Sequence, residues 1–165
     1  MVIVIHGAPG CGKTTVAALL HKKLKCPWFE FGWIPEFTWR NPHTEISSGE
    51  EEQLSFENLL LVTRNYLHHG FAYVILSDLS DVRVPEIAHE FPDAIIFTLY
   101  SENQSLLKER IFARKGENTY KDWPQAQRIN EMILARQPLQ NEHRICVDNQ
   151  SPEEIMTRIL QIVKE

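Results

Sequence analysis

The sequence predicts an α/β fold in which helices cover both faces of a five-stranded parallel sheet. Five short apolar runs, typical of strands that are buried on both faces, alternate along the 165-residue chain with longer segments of helical period. Hydrophobic residues make up 43% of the chain, and no linker rich in glycine and serine interrupts it. We therefore expect a single domain over residues 1–165 with a substantial buried core.

The predicted strands start almost at the N-terminus. The first apolar run, VIVIH, has no basic segment before it and is too short to cross a membrane, so we expect a buried strand there rather than a signal peptide or a membrane span. The five strands are expected at 2–6, 27–31, 72–77, 94–100 and 144–147.

The predicted helices lie between and after these strands, at 14–25, 50–69, 102–115, 124–136 and from Pro152 onward. Ser48 is expected to cap the second helix with Glu51, Gly70 to end it, and Ser151 to cap the last helix. The third and fourth helices follow each other without a strand between them.

Charge and cysteine content restrict the class of partner. A net charge of -5 disfavours binding to nucleic acid or to an anionic membrane, and therefore favours a small-molecule partner. Three cysteines without C-x-x-C spacing argue against a disulfide framework or a cysteine-built zinc site, so a reducing cytoplasm is the expected setting.

The stretch HGAPGCGKTT joins the first strand to the first helix and matches the phosphate-loop pattern G-x-x-x-x-G-K-[ST]. Its backbone amides and the helix N-terminus would bind the phosphates of a nucleotide, Lys13 would reach the outer phosphates, and Thr14 would ligate Mg²⁺. The alternative is a glycine-rich turn that matches by chance. The residues expected to bind the nucleotide are Gly7, Ala8, Pro9, Gly10, Cys11, Gly12, Lys13, Thr14 and Thr15.

Cys11 occupies a free position of this loop. The helix N-terminus and Lys13 would both lower the pKa of its thiol and favour the thiolate. The alternative, which we favour, is that Cys11 is a small side chain that the loop tolerates.

Together with the phosphate loop, the stretches ERIFAR (109–114) and VDNQSPEEI (147–155) make the chain resemble the small P-loop kinases related to nucleoside-monophosphate, shikimate and gluconate kinases. The resemblance implies the P-loop NTPase fold with sheet order 2-3-1-4-5, a requirement for ATP and Mg²⁺, and a helical lid at roughly 110–125 with its tip at 115–122.

The same resemblance assigns residues around the nucleotide. Arg110 and Arg114 fall where such kinases stack an arginine on the adenine and neutralise the phosphates in the transition state, and Asp148 and Asn149 fall in the turn that wraps the adenine. The arginines lie four apart on a predicted helix and so share a face; a solvated charged face balanced by Glu109 is the alternative. For the turn, the alternative is an ordinary connection with a helix cap.

Two carboxylates lie at predicted strand ends, where ligands bind in open α/β sheets. Asp78 follows the third strand in the manner of a Walker B carboxylate, which supports Mg²⁺ or acts on the acceptor hydroxyl. Glu30 ends the second strand, where shikimate-type kinases place acidic residues, but Phe31 and Gly32 stand here in place of a second acid. A strand-end turn is the alternative for Asp78, and Asp81 is expected to cap a helix.

An aromatic segment follows the second strand and is the expected acceptor site. Six aromatic rings lie between Trp28 and Trp39; Trp33 could stack a ring of the acceptor, Glu36 could bind a hydroxyl and Arg40 an anion. Burial of the rings against the second helix is an equal alternative. Arg128 and Arg136 are further candidates for binding phosphates. No role is assigned to His6.

These features predict an enzyme that transfers the γ-phosphoryl group of ATP to a small-molecule acceptor. A nucleoside or nucleotide kinase is the alternative within the same class. A P-loop ATPase, or a nucleotide-binding regulatory module without an acceptor, is the alternative of another class, although the chain contains no N-K-x-D motif for guanine.

Overall fold

A computed structural model describes residues 1–33, 46–114 and 121–164. Its sheet is five-stranded and parallel, in the order β2-β3-β1-β4-β5. The strands are β1 (Val2–Gly7), β2 (Trp28–Glu30), β3 (Val74–Ser77), β4 (Ile95–Tyr100) and β5 (Glu142–Cys146). The α/β class and the predicted strand order are therefore confirmed.

Helices connect the strands and cover the sheet. Their bounds are α1 (Lys13–Leu24), α2 (Ser48–His68), α3 (Arg83–Glu90), α4 (Gln104–Phe112), α5 (Trp123–Ala135) and α6 (Pro152–Val163). A short 3₁₀ turn, Phe31–Trp33, follows β2. No bounds were predicted for α3, although Asp81 was expected to cap a helix; α3 has only eight residues and no side chain that caps its N-terminus. None of the helices among the described residues is long and apolar enough to cross a bilayer.

The core has one layer on each face of the sheet. In β1, Ile3 and Ile5 belong to the layer that also contains residues of α1, α5 and α6, while Val2 and Val4 belong to the layer formed with α2 and α3. Successive side chains of a strand point to opposite faces, so the unbroken apolar run of β1 buries both. With both faces covered, ligands bind to sheets of this kind at the carboxyl ends of the strands.

Capping residues fix the ends of α2. Ser47, not the predicted Ser48, is its N-cap: the Ser47 hydroxyl accepts a hydrogen bond from the Glu50 amide at 3.3 Å, and the Glu50 carboxylate accepts one from the Ser47 amide at 2.7 Å. Two serines precede two glutamates at the same spacing, and the helix uses the earlier pair. Gly70 follows the helix with φ +86°, as predicted for a C′ residue.

Candidate active site

The phosphate loop runs from the end of β1 at Gly7 to the start of α1 at Lys13, and its shape requires glycine at two positions. A Cβ atom on Gly7 would lie 2.2 Å from the carbonyl oxygen of Leu99 in β4, so only glycine allows the loop to lie this close to the sheet. A Cβ atom on Gly10 would lie 2.8 Å from Leu107, so α4 packs directly against the loop. Gly10 also has φ +92°, in the left-handed region.

The amino end of α1 faces this loop without a side-chain cap. Gly12 is the N-cap and has φ +85°, so no side-chain oxygen occupies the amides of the first turn. Unpaired amides at a helix N-terminus bind anions, and the helix dipole favours negative charge there. The loop and α1 thus fit the triphosphate of a nucleotide.

Lys13 begins α1 and folds back toward its own loop. Its Nζ donates to the Ala8 carbonyl at 3.4 Å. Desolvation lowers the pKa of Lys13 below its ordinary value, and the carboxylates of Asp78 and Glu30 oppose that shift. The Lys13 side chain is therefore partly buried and lies within the electrostatic influence of both carboxylates.

Thr14 and Glu30 make a direct contact at the ends of α1 and β2. The Thr14 hydroxyl donates a 2.6 Å hydrogen bond to Glu30 Oε1, which orients the hydroxyl oxygen. Within the described parts of the chain no group of three or more His, Cys, Asp and Glu side chains could hold a metal ion. An Mg²⁺ ion would therefore depend on Thr14, phosphate oxygens and single carboxylates such as Asp78, which suits its preference for oxygen ligands and retained water.

Asp78 follows β3 immediately, and its backbone is unusual. Its φ of +61° lies in the left-handed region, which is uncommon for residues other than glycine and is often found at functional sites. A Cβ atom on Gly32 would lie 3.6 Å from Asp78 Oδ2, so the carboxylate approaches the turn after β2. Asp78, Glu30, Lys13 and Thr14 thus meet at one edge of the sheet.

A cavity of about 700 Å³ adjoins this cluster. Gly7, Pro9 and Lys13 of the phosphate loop form one side of it, and residues of the β3–α3 connection and of α5 form the others. Among the predicted site residues, Asp78 and Arg128 line it. The cavity is of the size that holds small ligands in enzymes.

The two arginines predicted for the lid lie near the phosphate loop but not on one helix. Arg110 lies in α4, which ends at Phe112, whereas Arg114 lies two residues beyond that end. The prediction that the two arginines share a helix face is therefore wrong. The charge of Arg110 acts on the Cys11 thiol and that of Arg114 on Lys13. Both guanidinium groups therefore belong to the electrostatic surroundings of the loop.

The Cys11 thiol is buried, with 2% of its surface exposed. Desolvation raises its pKa to about 11, because burial outweighs the opposing effects of Lys13 and Arg110. The expectation of a lowered pKa and a reactive thiolate is therefore wrong, and the alternative of a small tolerated side chain agrees with the structure.

Asp148 holds a turn rather than pointing freely toward a base. Its carboxylate accepts hydrogen bonds from the Ser101 hydroxyl at 2.6 Å and from the amides of Glu102 and Asn103 at 2.8 and 3.0 Å. Desolvation alone would raise the pKa of Asp148, but these bonds outweigh it and lower the pKa. Asn149 has φ +57° in the same turn. Contact with adenine stays a prediction, for which the backbone of this turn is available.

A partly buried charge network, which was not predicted from the sequence, reaches the wall of the cavity at His6 and Asp81. Asp81 Oδ1 contacts His6 Nε2 at 3.0 Å and Arg136 Nε at 3.2 Å, and Arg136 donates two 2.7 Å bonds to Glu142. Asp81 therefore does not cap α3, whose N-cap is Val82, and Arg136 is committed to carboxylates rather than free for phosphates.

The network also sets the ionisation of its carboxylates. The hydrogen bond from His6, with support from Arg136, lowers the pKa of Asp81. Burial opposes ionisation of Glu142, but the bonds from Arg136, Thr98 and the Leu139 amide outweigh burial and lower its pKa to about 2. No local sequence pattern marks this network, because its members come from distant parts of the chain.

Several predicted acceptor residues lie outside the described residues: Glu36, Arg40, the side chain of Trp33, and 115–120 of the lid tip. Of the other rings in the aromatic segment, Phe29 lies 5.4 Å from Tyr66 of α2 and Phe31 lies 6.4 Å from Phe56 of α2, measured between ring centroids. These two rings pack against α2, which agrees with the alternative that rings of this segment are buried against the second helix.

Known proteins resemble this chain in sequence over nearly its whole length, although no family profile matches it. A protein of Pyrococcus furiosus named "Putative adenylate kinase" is 27% identical over 99% of this chain and 84% of its own length.

Solved structures share the fold over nearly the whole chain. A sugar kinase from Janibacter superposes with a TM-score of 0.73 at 18% identity, covering 99% of this chain and 94% of that one. A gluconokinase from Sinorhizobium meliloti superposes with a TM-score of 0.64 at 16% identity, covering 99% and 95%. The chain is thus similar over nearly its whole length to a protein named "Putative adenylate kinase", and it shares the fold of a sugar kinase and a gluconokinase.

Proposed function

We propose that the protein transfers the γ-phosphoryl group of ATP, bound with Mg²⁺, to a small-molecule acceptor held in the cavity beside Lys13. The observation that carries this proposal is the cavity of about 700 Å³ that shares Gly7, Pro9 and Lys13 with the phosphate loop. A site that only hydrolyses ATP needs room for one water molecule next to the terminal phosphate, whereas this cavity has room for a second substrate.

The loop and the cations around it would stabilise the transferring group. The amides of α1 and Lys13 bind the outer phosphates, and Arg110 and Arg114 neutralise charge that spreads over the equatorial oxygens. Bound Mg²⁺ would supply further neutralisation of the phosphate charge. The acceptor oxygen forms the new bond to the γ-phosphorus while the bond to the bridging oxygen of ADP breaks.

The two carboxylates have different surroundings, which support different roles. Glu30 accepts a hydrogen bond from the Thr14 hydroxyl and thereby orients the oxygen that would face Mg²⁺. Asp78 lines the cavity and its charge acts on Lys13, so it orients the acceptor hydroxyl and accepts its proton during transfer, and it would also help to hold the metal.

A nucleotide acceptor is the second candidate, and it is favoured by the similarity of 99% of this chain to a protein named "Putative adenylate kinase".

Three free cysteines and a net charge of -5 support a reaction in a reducing cytoplasm on small molecules rather than on nucleic acid.

The test measures ADP release from ATP and Mg²⁺ with and without AMP, shikimate, D-gluconate or D-glucose. We expect at least one acceptor to raise the rate by tenfold or more, and Lys13→Ala to abolish the increase. Steady ADP release that none of these compounds changes would support the ATPase alternative and contradict the proposal. Binding of ATP without any turnover would support the regulatory alternative.

A further inference from the structure

Asp81 lies on the wall of the acceptor cavity, in the connection between β3 and α3. About 25% of its side chain is exposed, although its immediate partners are largely buried: the His6 side chain is 2% exposed and that of Arg136 is 22% exposed. The carboxylate is thus anchored on its inner side and accessible from the cavity.

Two donors fix one oxygen of this carboxylate. Both bonds, from His6 Nε2 at 3.0 Å and from Arg136 Nε at 3.2 Å, go to Oδ1. A carboxylate only accepts hydrogen bonds, so His6 must carry a proton on Nε2. Arg136 is itself held by two bonds to Glu142, whose side chain is fully buried. The position of Asp81 is therefore preorganised.

The other oxygen, Oδ2, has no hydrogen-bond partner among the residues that the structure describes. Ionised carboxylates accept several hydrogen bonds, so Oδ2 is available to a molecule in the cavity. Ile129 and Met132 of α5 line the same cavity, and such apolar surroundings strengthen a hydrogen bond formed there.

A purely structural role for Asp81 is the competing explanation, since it links β1 to the end of α5. Glu142, in the same network, has that character: it is fully buried and accepts bonds on both oxygens. Asp81 differs, because it is partly exposed and bonded on one oxygen only. That difference is what points to a ligand.

We propose that Asp81 is the specificity-determining residue of the acceptor site, where its Oδ2 accepts a hydrogen bond from an uncharged hydroxyl or amino group of the acceptor. This inference rests on the proposed function of the cavity. The donor could belong to the hydroxyl of a sugar-like molecule or to the exocyclic amino group of a nucleobase. An anionic group of the acceptor would be repelled here and would bind elsewhere, as at Arg128 on another part of the wall.

The experiment measures binding by calorimetry in matched pairs that differ by one donor. AMP is compared with purine riboside 5′-monophosphate, which lacks the amino group, and D-glucose with its monodeoxy derivatives. We expect the wild-type protein to prefer the member with the donor by tenfold or more in one pair, and Asp81→Asn to reduce that preference to less than threefold. The AMP pair responds if the donor is an amino group, and the glucose pair responds if it is a hydroxyl.

Two variants separate recognition from folding. Asp93→Asn removes an exposed carboxylate whose recorded contact is the chain's N-terminal amine, and should leave the preference unchanged. Glu142→Gln weakens the same network without touching the cavity, so its loss of preference should be clearly smaller than that of Asp81→Asn. If Asp81→Asn unfolds at the assay temperature, Asp81→Glu keeps the charge, displaces the oxygens and provides the same readout.

The outcomes distinguish the two proposals. An unchanged preference in Asp81→Asn, or an equal loss in Glu142→Gln, overturns the role of Asp81 while leaving the kinase proposal intact. Donor-dependent binding without phosphoryl transfer overturns the kinase proposal but supports the role of Asp81. Failure of all these probes to bind the wild-type protein overturns both.

Discussion

Replacing Glu142 with glutamine should destabilise the fold in a way that depends on pH. Glu142 is fully buried and accepts two bonds from Arg136 and one from the Leu139 amide. Its pKa falls from 4.5 to about 2 on folding. Each pKa unit corresponds to about 1.4 kcal/mol, so the folded state gains about 3 kcal/mol from the ionised carboxylate.

The sign of the pH dependence follows from the direction of this shift. A carboxyl group whose pKa is lowered by folding contributes its full stabilisation above the unfolded pKa of 4.5, and loses it as the pH falls toward about 2. Glutamine cannot titrate. The stability difference between wild type and Glu142→Gln should therefore be about 3 kcal/mol at neutral pH and much smaller near pH ~2.

Urea unfolding monitored by circular dichroism at a series of pH values measures this difference. Glu102→Gln, which changes an exposed glutamate in the nearby β4–α4 turn, is the matched control and should shift the free energy of unfolding by less than about 0.5 kcal/mol. A loss below about 1 kcal/mol for Glu142→Gln at neutral pH would refute the reasoning, as would a loss independent of pH.

Three further predictions concern the phosphate loop. At about pH 8, Cys11 should react with iodoacetamide roughly 100-fold more slowly than a thiol of pKa 9.0, because its own pKa is about 11. Mass spectrometry measures the labelling rate. Labelling as fast as that of an ordinary thiol would contradict the burial of Cys11. Gly10→Ala should lower the free energy of unfolding by about 1–3 kcal/mol, since the new Cβ would lie 2.8 Å from Leu107; unchanged stability in urea would count against the packing of α4 on the loop. Arg114→Ala should reduce the transfer rate at least tenfold with a smaller change in ATP affinity, whereas the exposed Arg158→Ala should alter neither; equal transfer kinetics would remove Arg114 from the mechanism.

The sheet and the phosphate loop could be predicted because their signals are local. The central strand β1 lies in a continuous apolar run, and the glycine pattern of the loop lies between a strand and a helix in sequence as it does in space. The bounds of the short helix α3 could not be predicted in this way. It has only eight residues and contains Pro85, and Asp81, its expected cap, is bonded to His6 and Arg136 instead.

Long-range contacts explain what the sequence could not show. His6 and Asp81 are 75 residues apart, and Asp81 and Arg136 are 55 residues apart, so no spacing rule connects them. The expected lowering of the pKa of the Cys11 thiol fails for the same reason. Its neighbours in sequence lower the pKa of the thiol, but residues brought against it by folding bury it and reverse the sign.

The fate of the terminal phosphate tests the central claim most directly. ATP labelled in the γ-phosphate is incubated with the protein, Mg²⁺ and each of AMP, shikimate, D-gluconate and D-glucose, and the products are separated by chromatography. If the phosphoryl group is transferred to an acceptor held in the cavity beside Lys13, the label appears in a phosphorylated form of one of these compounds. Asp78→Asn should slow the appearance of that product at least tenfold. Label found as inorganic phosphate with every acceptor would contradict the claim.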